Sequence, residues 1–554
     1  MESKTGAQGV AKVMQQFKVW ARSFLRKSGD APRFTEIARP AFWAWAMLLG
    51  VAGGLAALVF RLGIDAVQSW AYATADTHHL HSHLATLPWY WVVGVPIVGG
   101  IAVGLLLTRF TDQGKVHSVA EVIEGAALNN GRVNIRAGLA SALASLITLS
   151  TGGSTGREGP VVHLAGVLAT KLNLWINASG VTGRDLLGCA VAAAVSASFN
   201  APIAGAIFAL EVILRHFAVH AFGPIVLASV TGTVIGRVLI GDATEFTLPT
   251  ATLVEFYVEL PAFALLGLVC GGVALVLMRA IFVADDVANH VQARTGLPGW
   301  LRPGVSGAML GVMAIWFPHI IGVGYETTSA ALTGAIGLRE VIIFAAIKVV
   351  AVALTMAGRM GGGVFSPALM LGALTGLGFG MVASSLFPAL SGGATLYALA
   401  GMGAVAAAVL GAPISTTLIV FELTGDWQTA LAVMLAVAFS TAVAARMGER
   451  SFFLGLLARR NVHLAAGPQA YLLSTVPVAQ VMRGLGTDKA LGEDALWDLV
   501  EHGFYIDGNA SLDVAMQIFD ASDAQVIAVV TLKGEDAPPA LWGSLHLVDA
   551  LPSM

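Results

Sequence analysis

Long apolar stretches separated by short polar segments dominate the chain. Three of them, from about Ala41 to Phe60, Trp89 to Leu107 and Leu260 to Phe282, approach the ~20 residues that a helix needs to cross a bilayer. Other apolar stretches are shorter or broken by Gly and Pro, namely Ala137 to Leu149, Val161 to Leu172, Leu186 to Ala201, Pro202 to Leu214, Val364 to Phe379 and Leu396 to Leu410. Because irregular backbone at membrane depth occurs only inside protein or along a water-filled cavity, the interrupted stretches predict a transport pathway.

An internal repeat divides the apolar part of the chain into two halves. The string Ala-Val-Ala-Ala-Ala-Val occurs at 190–195 and again at 404–409, and each copy is followed by Ala-Pro-Ile. Glu211 and Glu422 each follow the proline of this motif by nine residues. The prolines of the two Ala-Pro-Ile motifs are 211 residues apart (413 − 202), and the prolines that end two glycine-rich motifs, Pro160 and Pro367, are 207 residues apart (367 − 160). We therefore predict two related halves with a binding site at their interface.

Composition places the chain in a membrane. Of its 554 residues 56% are hydrophobic and only 12% are charged, well below the roughly 25% typical of soluble proteins. The net charge of −3 excludes a basic nucleic-acid binder. Cys189 and Cys270 lie within apolar segments, so neither a disulfide framework nor a thiolate metal site is expected.

The two ends of the chain are more polar than its middle. Residues 1–39 carry eight basic and three acidic side chains without a signal-peptide pattern, which predicts a cytoplasmic N-terminus. Polar residues return after Arg460. Asn509 to Val530 reads as an amphipathic helix and a strand, and Ala540 to Leu551 as another strand and helix, so we predict a small α/β tail on the same side as the N-terminus.

The first glycine-rich motif, at 152–160, directly precedes an apolar run. Pro160 suits the first position of a helix, and glycines let the backbone approach a ligand. The first N–H groups of a helix carry a partial positive charge, which makes an anion site without a full cation. The second half repeats the device at 361–367, so two helix N-termini could converge on one anion that must also be able to leave.

Glu158 stands at the start of the first of these helices, next to Arg157. Its carboxylate would compete with the anion for the same N–H donors, so the site would be closed while Glu158 occupies it. An arriving anion or a proton would displace the side chain, which makes Glu158 a candidate gate. The alternative is a purely structural helix cap.

These motifs resemble those of the CLC family of chloride channels and chloride/proton antiporters, some of which are voltage-gated. The residues that carry the resemblance are Gly-Arg-Glu-Gly-Pro at 156–160, Gly-Val-Phe-Ser-Pro at 363–367 and Phe-Asn-Ala-Pro at 199–202 with Glu211 beyond it, within a match over about 40–462. The resemblance implies an all-α polytopic membrane protein of two inverted-repeat halves with broken and tilted helices. It also implies a homodimer with one pore per subunit.

The resemblance implies roles for individual residues as well. Glu158 matches the family's external gating glutamate, and the N–H groups of Val364 and Phe365 match its central anion ligands, with those near Gly156, Arg157 and Gly159 beside them. The expected partners are chloride or a similar monovalent anion, protons and the lipid bilayer. No cofactor and no metal are expected, and the predicted location is the cell (inner) membrane with both termini in the cytoplasm.

The chain departs from the family pattern in its first anion motif, which is Gly-Ser-Gly-Ile-Pro in relatives. Here it is degenerate, at 117–121 or one residue earlier. One alignment places Ser118 at the ligating serine, and the other places His117 there. A hydroxyl and a neutral imidazole N–H can both donate to an anion, and His117 could instead stand only at the pore edge.

Two further departures concern the inner half of the pathway. Phe453 replaces the family's inner pore tyrosine, which keeps the bulk and removes the hydroxyl. Val212 stands where antiporters often carry a second glutamate that delivers protons from inside. Because water could deliver protons to Glu158 instead, both passive conduction and proton-coupled exchange remain open; Glu211 and Glu422 are predicted to be structural carboxylates rather than proton carriers.

The predicted domains are the segment 1–39, membrane halves at 40–250 and 251–462, and a cytoplasmic tail at 463–554 that resembles a CBS domain. About one such module fits, so the tail is either a nucleotide site or a structural element of a dimer. Transport of nitrate or fluoride is the alternative within the family.

Two weaker patterns point elsewhere. Residues 152–156 fit the Gly-x-Ser-x-Gly pattern of serine hydrolases, with His163 nearby, but a helical stretch rather than a strand precedes them, so an enzyme is not expected. His78, His79, His81 and His83 crowd one loop, which is either a solvated, pH-sensitive loop or a metal site.

Overall fold

The structure, a computed structural model, describes residues 40–550 with gaps. The residues left out within that span are 75, 78, 112–113, 179, 242–245, 247–255, 389–392, 449–450, 463, 465–472, 474–475, 487–490, 523 and 532–539. The predicted N-terminal segment 1–39 and His78 of the histidine-rich loop therefore lie outside the described residues.

The first half of the membrane part consists of helices of very different lengths. In chain order they are α1 (Pro40–Tyr72), α2 (Leu80–Leu84), α3 (Trp89–Phe110), α4 (Val119–Leu128), α5 (Ile135–Thr151), α6 (Glu158–Ile176), α7 (Gly180–Phe199), α8 (Pro202–Phe208) and α9 (Val219–Ile240), with a π-helical turn at Ala209–Leu214. Local sequence sets the ends of α5. The Asn134 side chain accepts from the Ala137 N–H at its start, and Gly152 ends it in a left-handed conformation with φ 113°.

The second half repeats this order of elements. Its helices are α10 (Phe256–Thr295), α11 (Arg302–Trp316), α12 (Tyr325–Leu332), α13 (Leu338–Ala357), α14 (Phe365–Leu386), α15 (Ala394–Leu410), α16 (Pro413–Thr424), α17 (Trp427–Arg446) and α18 (Phe452–Ala458), with a 3-10 turn at Pro318–Ile320. The motif helices α6 and α14 correspond, and so do the pairs that follow them, α7 with α15 and α8 with α16. The predicted all-helical membrane part with two related halves is confirmed.

Seven of the described helices, α1, α3, α9, α10, α13, α14 and α17, are long and apolar enough to cross a membrane. The three predicted spans correspond to α1, α3 and α10, and each helix runs further than its apolar stretch. The sequence pattern did not single out α9, α13 and α17. Polar or helix-bending residues interrupt their apolar runs, as Pro224 does in α9 and Lys348 in α13.

Small residues let the central helices of the second half approach closely. A Cβ atom at Gly376 of α14 would stand 2.0 Å from the carbonyl oxygen of Tyr397 in α15, and one at Gly372 would stand 2.3 Å from that of Gly401. Such Gly-x-x-x-Gly contacts are a common basis of helix association in membranes, where dispersion rather than the hydrophobic effect holds helices together.

Two glutamates join the halves by reciprocal helix capping. The carboxylate of Glu211, in the π-helical turn of the first half, accepts from the N–H groups of Ile414 (2.9 Å) and Ser415 (2.8 Å) at the start of α16. The carboxylate of Glu422, in α16, accepts from the N–H groups of Ile203 (2.9 Å) and Ala204 (2.7 Å) at the start of α8. These bonds agree with the predicted structural role of both glutamates.

The tail after the membrane part is a small α/β unit. It contains α19 (Glu493–Glu501), α20 (Leu512–Ser522), α21 (Leu547–Ala550) and strands β1 (Arg483–Gly484), β2 (Tyr505–Asp507), β3 (Val526–Thr531) and β4 (Ala540–His546), which form a sheet in the order β1-β4-β3-β2. Helix α20 buries Leu512, Ala515 and Phe519 on one face. The predicted helix–strand and strand–helix pairs correspond to α20 with β3 and to β4 with α21.

Candidate functional site

Two glycine loops, one from each half, lie side by side inside the membrane part. The Gly156 N–H donates to the Gly363 carbonyl (2.7 Å), and the Gly363 N–H donates back to the Gly156 carbonyl (2.8 Å). The hydroxyl of Thr155 donates to the same Gly363 carbonyl (2.8 Å). The structure therefore brings together the two loops that the sequence predicts to meet.

Each bridged glycine is followed two residues later by the start of a helix. Helix α6 begins at Glu158 and α14 begins at Phe365. Pro160 and Pro367 are thus third helical residues, and the prediction that Pro160 is the first was wrong. The N–H groups of a whole first turn lack intrahelical partners, so a proline is tolerated at either position. The partially positive ends of two helices consequently lie next to each other.

The Glu158 side chain is buried, with 4% of its surface exposed, and it reaches across to the other half of the protein. Its Oε1 accepts a hydrogen bond of 2.5 Å from the hydroxyl of Ser366 in α14. Its Oε2 lies 2.7 Å from the point where a Cβ of Gly156 would stand, and the Ser366 nitrogen lies 3.0 Å from that point. The carboxylate therefore occupies the space between the two helix starts. Ser366 belongs to the second glycine-rich motif, but nothing in the sequence around it indicates a role.

A small cavity lies directly beside Glu158 and Gly159. Its volume is about 10 Å³, which is room for about one water molecule. The other residues lining it are Val119, Val162, Val195, Phe199, Phe208, Gly363, Val364, Phe365 and Phe453. Val364 and Phe365, the predicted anion ligands, are among these lining residues, and no basic side chain contributes to the described wall. An anion in this cavity would depend on backbone N–H groups and polarised ring edges.

A much larger vestibule of about 310 Å³ opens on the side from which the chain continues into the tail, here called the tail side. Phe453 lines both this vestibule and the small cavity, as do Val119, Gly159, Gly363 and Val364, so it lies at their common border. Basic side chains line the vestibule, namely Lys115, Arg359, Arg459 and Arg460. Partial burial and the neighbouring Arg359 lower the pKa of Lys115. Asp285 and Asp286 also border the vestibule, but the four basic side chains outnumber them, so its described lining carries a net positive charge.

The two candidates in the degenerate first motif have different surroundings. Among the described residues, Ser118 lines the tail-side vestibule and His117 does not. The His117 ring instead packs edge-on against His163, with 5.9 Å between ring centroids. The Ser118 N–H donates to the Glu121 carboxylate (2.5 Å), and Arg460 pairs with the same carboxylate (2.5 Å).

A third pocket, of about 60 Å³, lies beneath α2 and the 3-10 turn, on the side here called the loop side. The side chain of Arg157 lines this pocket rather than the small cavity. Its guanidinium lies 5.2 Å from the centroid of the Tyr325 ring. Arg61 and His81 line the same pocket, together with the carboxylates of Asp65 and Glu326.

Val212 is buried in the π-helical turn, and Glu211 beside it has both carboxylate oxygens engaged by the start of α16. Val212 stands where the family resemblance implies a proton-delivering glutamate in antiporters, and it is apolar. The adjacent Glu211 carboxylate is held in a structural contact with α16.

The weaker sequence patterns lead to no second site among the described residues. The His163 Nδ1–H donates to the Ser118 carbonyl (2.9 Å) and not to Ser154, the candidate nucleophile of the Gly-x-Ser-x-Gly pattern. In the histidine-rich loop, the Asp76 carboxylate, 2.7 Å from Nδ1 of His79, raises the pKa of that histidine. No three His, Cys, Asp or Glu residues of the described chain are grouped so as to hold a metal ion.

Comparison with known proteins supports the interpretation of the motifs. Residues 99–445 match the sequence model of the family described as voltage gated chloride channel. The chain is 32% identical over 422 residues to a ClcB-like chloride channel protein of Ralstonia nicotianae, covering 76% of this chain and 97% of that protein.

Two solved structures have a similar fold. One is a slow cyanobacterial Cl⁻/H⁺ antiporter, with a TM-score of 0.67, and the other is a CLC-type fluoride/proton antiporter, with a TM-score of 0.62. Each is 20% identical to this chain, and each comparison covers 76% of this chain and 98% of the other. At this identity the likeness concerns the fold alone, and it confirms the predicted CLC-like architecture.

Proposed function

The chain belongs to the voltage-gated chloride channel (CLC) family, and from this premise we propose that it moves chloride through a pore between its two halves, with Glu158 as the gate. It is a multi-pass membrane protein of a family of anion channels and transporters, which are not enzymes. Chloride is the proposed anion, and nitrate and fluoride are the alternatives that a selectivity assay would test.

The observation that carries this proposal is the hydrogen-bonded bridge between Gly156 and Gly363. Because of these two bonds, the starts of α6 and α14 lie on either side of the Glu158 carboxylate. The cavity beside this carboxylate has room for about one water molecule or small ion. Partial charges from helix ends bind an anion without holding it as tightly as a lysine would, which suits rapid passage.

We assign the residues along the pathway as follows. The N–H groups near Gly156, Arg157, Gly159, Val364 and Phe365 bind the anion. Ser118 and Phe453 shape the tail-side end of the pore. His117 supports this end from behind through its ring contact with His163. Arg157 acts at the loop-side entrance, where its guanidinium attracts anions.

Passive conduction is the form of transport that the local geometry favours. Val212 cannot carry a proton, and the Glu211 carboxylate caps α16. Protons would then reach Glu158 only through water. Proton-coupled exchange is the second candidate, because Glu158 itself can carry a proton and the fold is shared with two proton antiporters.

Flux from proteoliposomes, recorded with a chloride electrode and a pH electrode together, tests the function. We expect a chloride gradient to drive chloride efflux without uphill proton movement. Efflux no greater than that of protein-free vesicles would contradict the proposal of anion transport. Uphill proton movement driven by chloride would replace conduction by exchange and leave the anion pathway as proposed.

The remaining assignments concern topology and assembly. We propose that the tail side faces the cytoplasm of a cell whose inner membrane holds the protein, with the N-terminal segment 1–39 on the same side. The proposed domains are the membrane halves 40–250 and 251–462 and the CBS-like tail 463–554. The tail and the lipid-facing helices would support a homodimer with one pore in each subunit.

Replacing Phe453 by tyrosine is expected to tighten anion binding, because the new hydroxyl would stand at the border of the small cavity and could donate to the anion. A hydrogen bond to a charged group contributes about 1.5 to 3 kcal/mol, so the dissociation constant for chloride should fall about tenfold or more. Isothermal titration calorimetry measures it.

Phe452→Tyr is the matched control. Phe452 lines the vestibule but not the small cavity, and it stacks on Phe282 at a centroid distance of 5.4 Å. Its substitution should leave chloride affinity unchanged. An affinity of Phe453→Tyr equal to that of the wild type would rule out Phe453 as the inner border of the anion site.

A further inference from the structure

The two motif helices differ at their first and second residues, although the repeat relates them. Helix α6 begins with Glu158, Gly159 and Pro160, whereas α14 begins with Phe365, Ser366 and Pro367. Helix α6 therefore carries a carboxylate at its first position, and α14 carries a hydroxyl at its second position. Across the bridge between the loops, these two groups are hydrogen-bonded to each other at 2.5 Å.

The surroundings make this hydrogen bond a strong one. Both side chains are buried, with 4% of Glu158 and 3% of Ser366 exposed. The separation of 2.5 Å lies at the short end of the range for a hydroxyl that donates to a carboxylate. The Ser366 nitrogen and Oγ lie 3.0 and 3.2 Å from the point above Gly156 beside which Glu158 Oε2 stands, so its N–H and hydroxyl border one small space.

We propose that Ser366 is a positioning residue for the gate and a further ligand of the transported anion. In the closed state its hydroxyl holds the ionised Glu158 carboxylate between the two helix starts. When Glu158 leaves, the same hydroxyl donates to the anion that takes its place. This inference rests on the proposed function, and it adds a side-chain donor that only the second half supplies.

The direction of the effect on gating follows from which form of Glu158 the hydroxyl stabilises. A donor stabilises the ionised carboxylate in its seat relative to the protonated, released form. Without the hydroxyl, less acid is needed to open the pore. The pH of half-maximal flux should therefore move upward in Ser366→Ala, by about one unit if the lost hydrogen bond has the strength usual for a charged acceptor.

Chloride flux from proteoliposomes as a function of pH tests the gating role. Ser366→Thr keeps the hydroxyl and should retain a midpoint close to that of the wild type. Ser440→Ala is the matched control, because Ser440 is also buried and donates to the Ala404 carbonyl (2.8 Å), a helix–helix bond away from the pathway. It removes a buried serine hydroxyl and should leave the midpoint in place.

Calorimetry in a Glu158→Ala background tests the ligand role separately. Adding Ser366→Ala should weaken chloride binding about tenfold relative to Glu158→Ala alone, as expected for a lost donor to a charged ligand. An unshifted pH midpoint in Ser366→Ala would overturn the gating role, and an unchanged affinity in the double variant would overturn the ligand role. Either result with normal wild-type chloride flux leaves the proposed function standing, whereas absent wild-type flux would refute that function itself.

Discussion

Replacing Glu158 by alanine is expected to raise chloride flux at neutral pH about tenfold to a hundredfold and to abolish its dependence on pH. The carboxylate fills the space between the starts of α6 and α14 and is held there by Ser366 at 2.5 Å. A hydrogen bond between a hydroxyl and a charged group contributes about 1.5 to 3 kcal/mol. Losing it should therefore shift the equilibrium from closed to open pores by about tenfold to a hundredfold. Flux from proteoliposomes between about pH 4 and about pH 8 measures the effect, because this range extends from the ordinary pKa of a glutamate, about 4.3, to neutral pH and above.

Two variants serve as controls for this expectation. Glu158→Gln keeps the size of the side chain and removes its charge, so it should also lose the pH response. Glu211→Gln neutralises a carboxylate that caps α16 outside the pathway, so the protein should keep the wild-type pH profile if it remains folded. Persistence of the wild-type pH response in both Glu158 variants would count decisively against Glu158 as the gate.

Glu158 could be proposed as a gate from the sequence because the signals around it are local. A glycine-rich loop followed by a proline and an apolar run indicates where a helix starts, and an ionisable residue at that start is unusual within a membrane. The repeat then gave a second loop of the same kind. The structure adds the contact between the loops, namely the two hydrogen bonds between Gly156 and Gly363, which no pattern within one half determines.

The parts that the sequence analysis missed depend on tertiary contacts. Ser366 acts through a carboxylate 208 positions away in the chain, so its neighbours in sequence gave no sign of a role. Which of His117 and Ser118 borders the vestibule also depends on the tertiary structure, which places Ser118 in its lining. Helix α13 escaped the pattern analysis because Lys348 interrupts its apolar run, yet this side chain is buried and donates to the carbonyl groups of Ile320 and Gly322.

The reciprocal caps of Glu211 and Glu422 explain why the halves keep a fixed position around the site. Each carboxylate binds two N–H groups at the start of a helix in the other half. Because both contacts cross between the halves, a shift of one half against the other would break four hydrogen bonds at once. The bridged glycine loops, which also join the halves, are thereby kept close enough to share one carboxylate or one anion.

Gly156→Ala is expected to reduce chloride flux about tenfold to a hundredfold, both in the wild-type background and in Glu158→Ala. A Cβ at this position would stand 2.7 Å from Glu158 Oε2, 3.0 Å from the Ser366 nitrogen and 3.2 Å from its Oγ. With the gate removed, the methyl group would still face the two Ser366 atoms in the space that the anion must enter. Contacts this short force either a displaced α14 or an occluded site, and overpacking of a buried contact typically costs about 1 to 3 kcal/mol.

Two measurements separate occlusion from unfolding in this experiment. Gly272→Ala, in the membrane-spanning α10, is the matched control, because a Cβ there meets no described atom within 4 Å and should leave flux unchanged. Thermal unfolding of detergent-solubilised protein should show Gly156→Ala still folded at the assay temperature. Flux of Gly156→Ala equal to that of the wild type would mean that anions do not pass between the starts of α6 and α14, and the pathway would have to lie elsewhere.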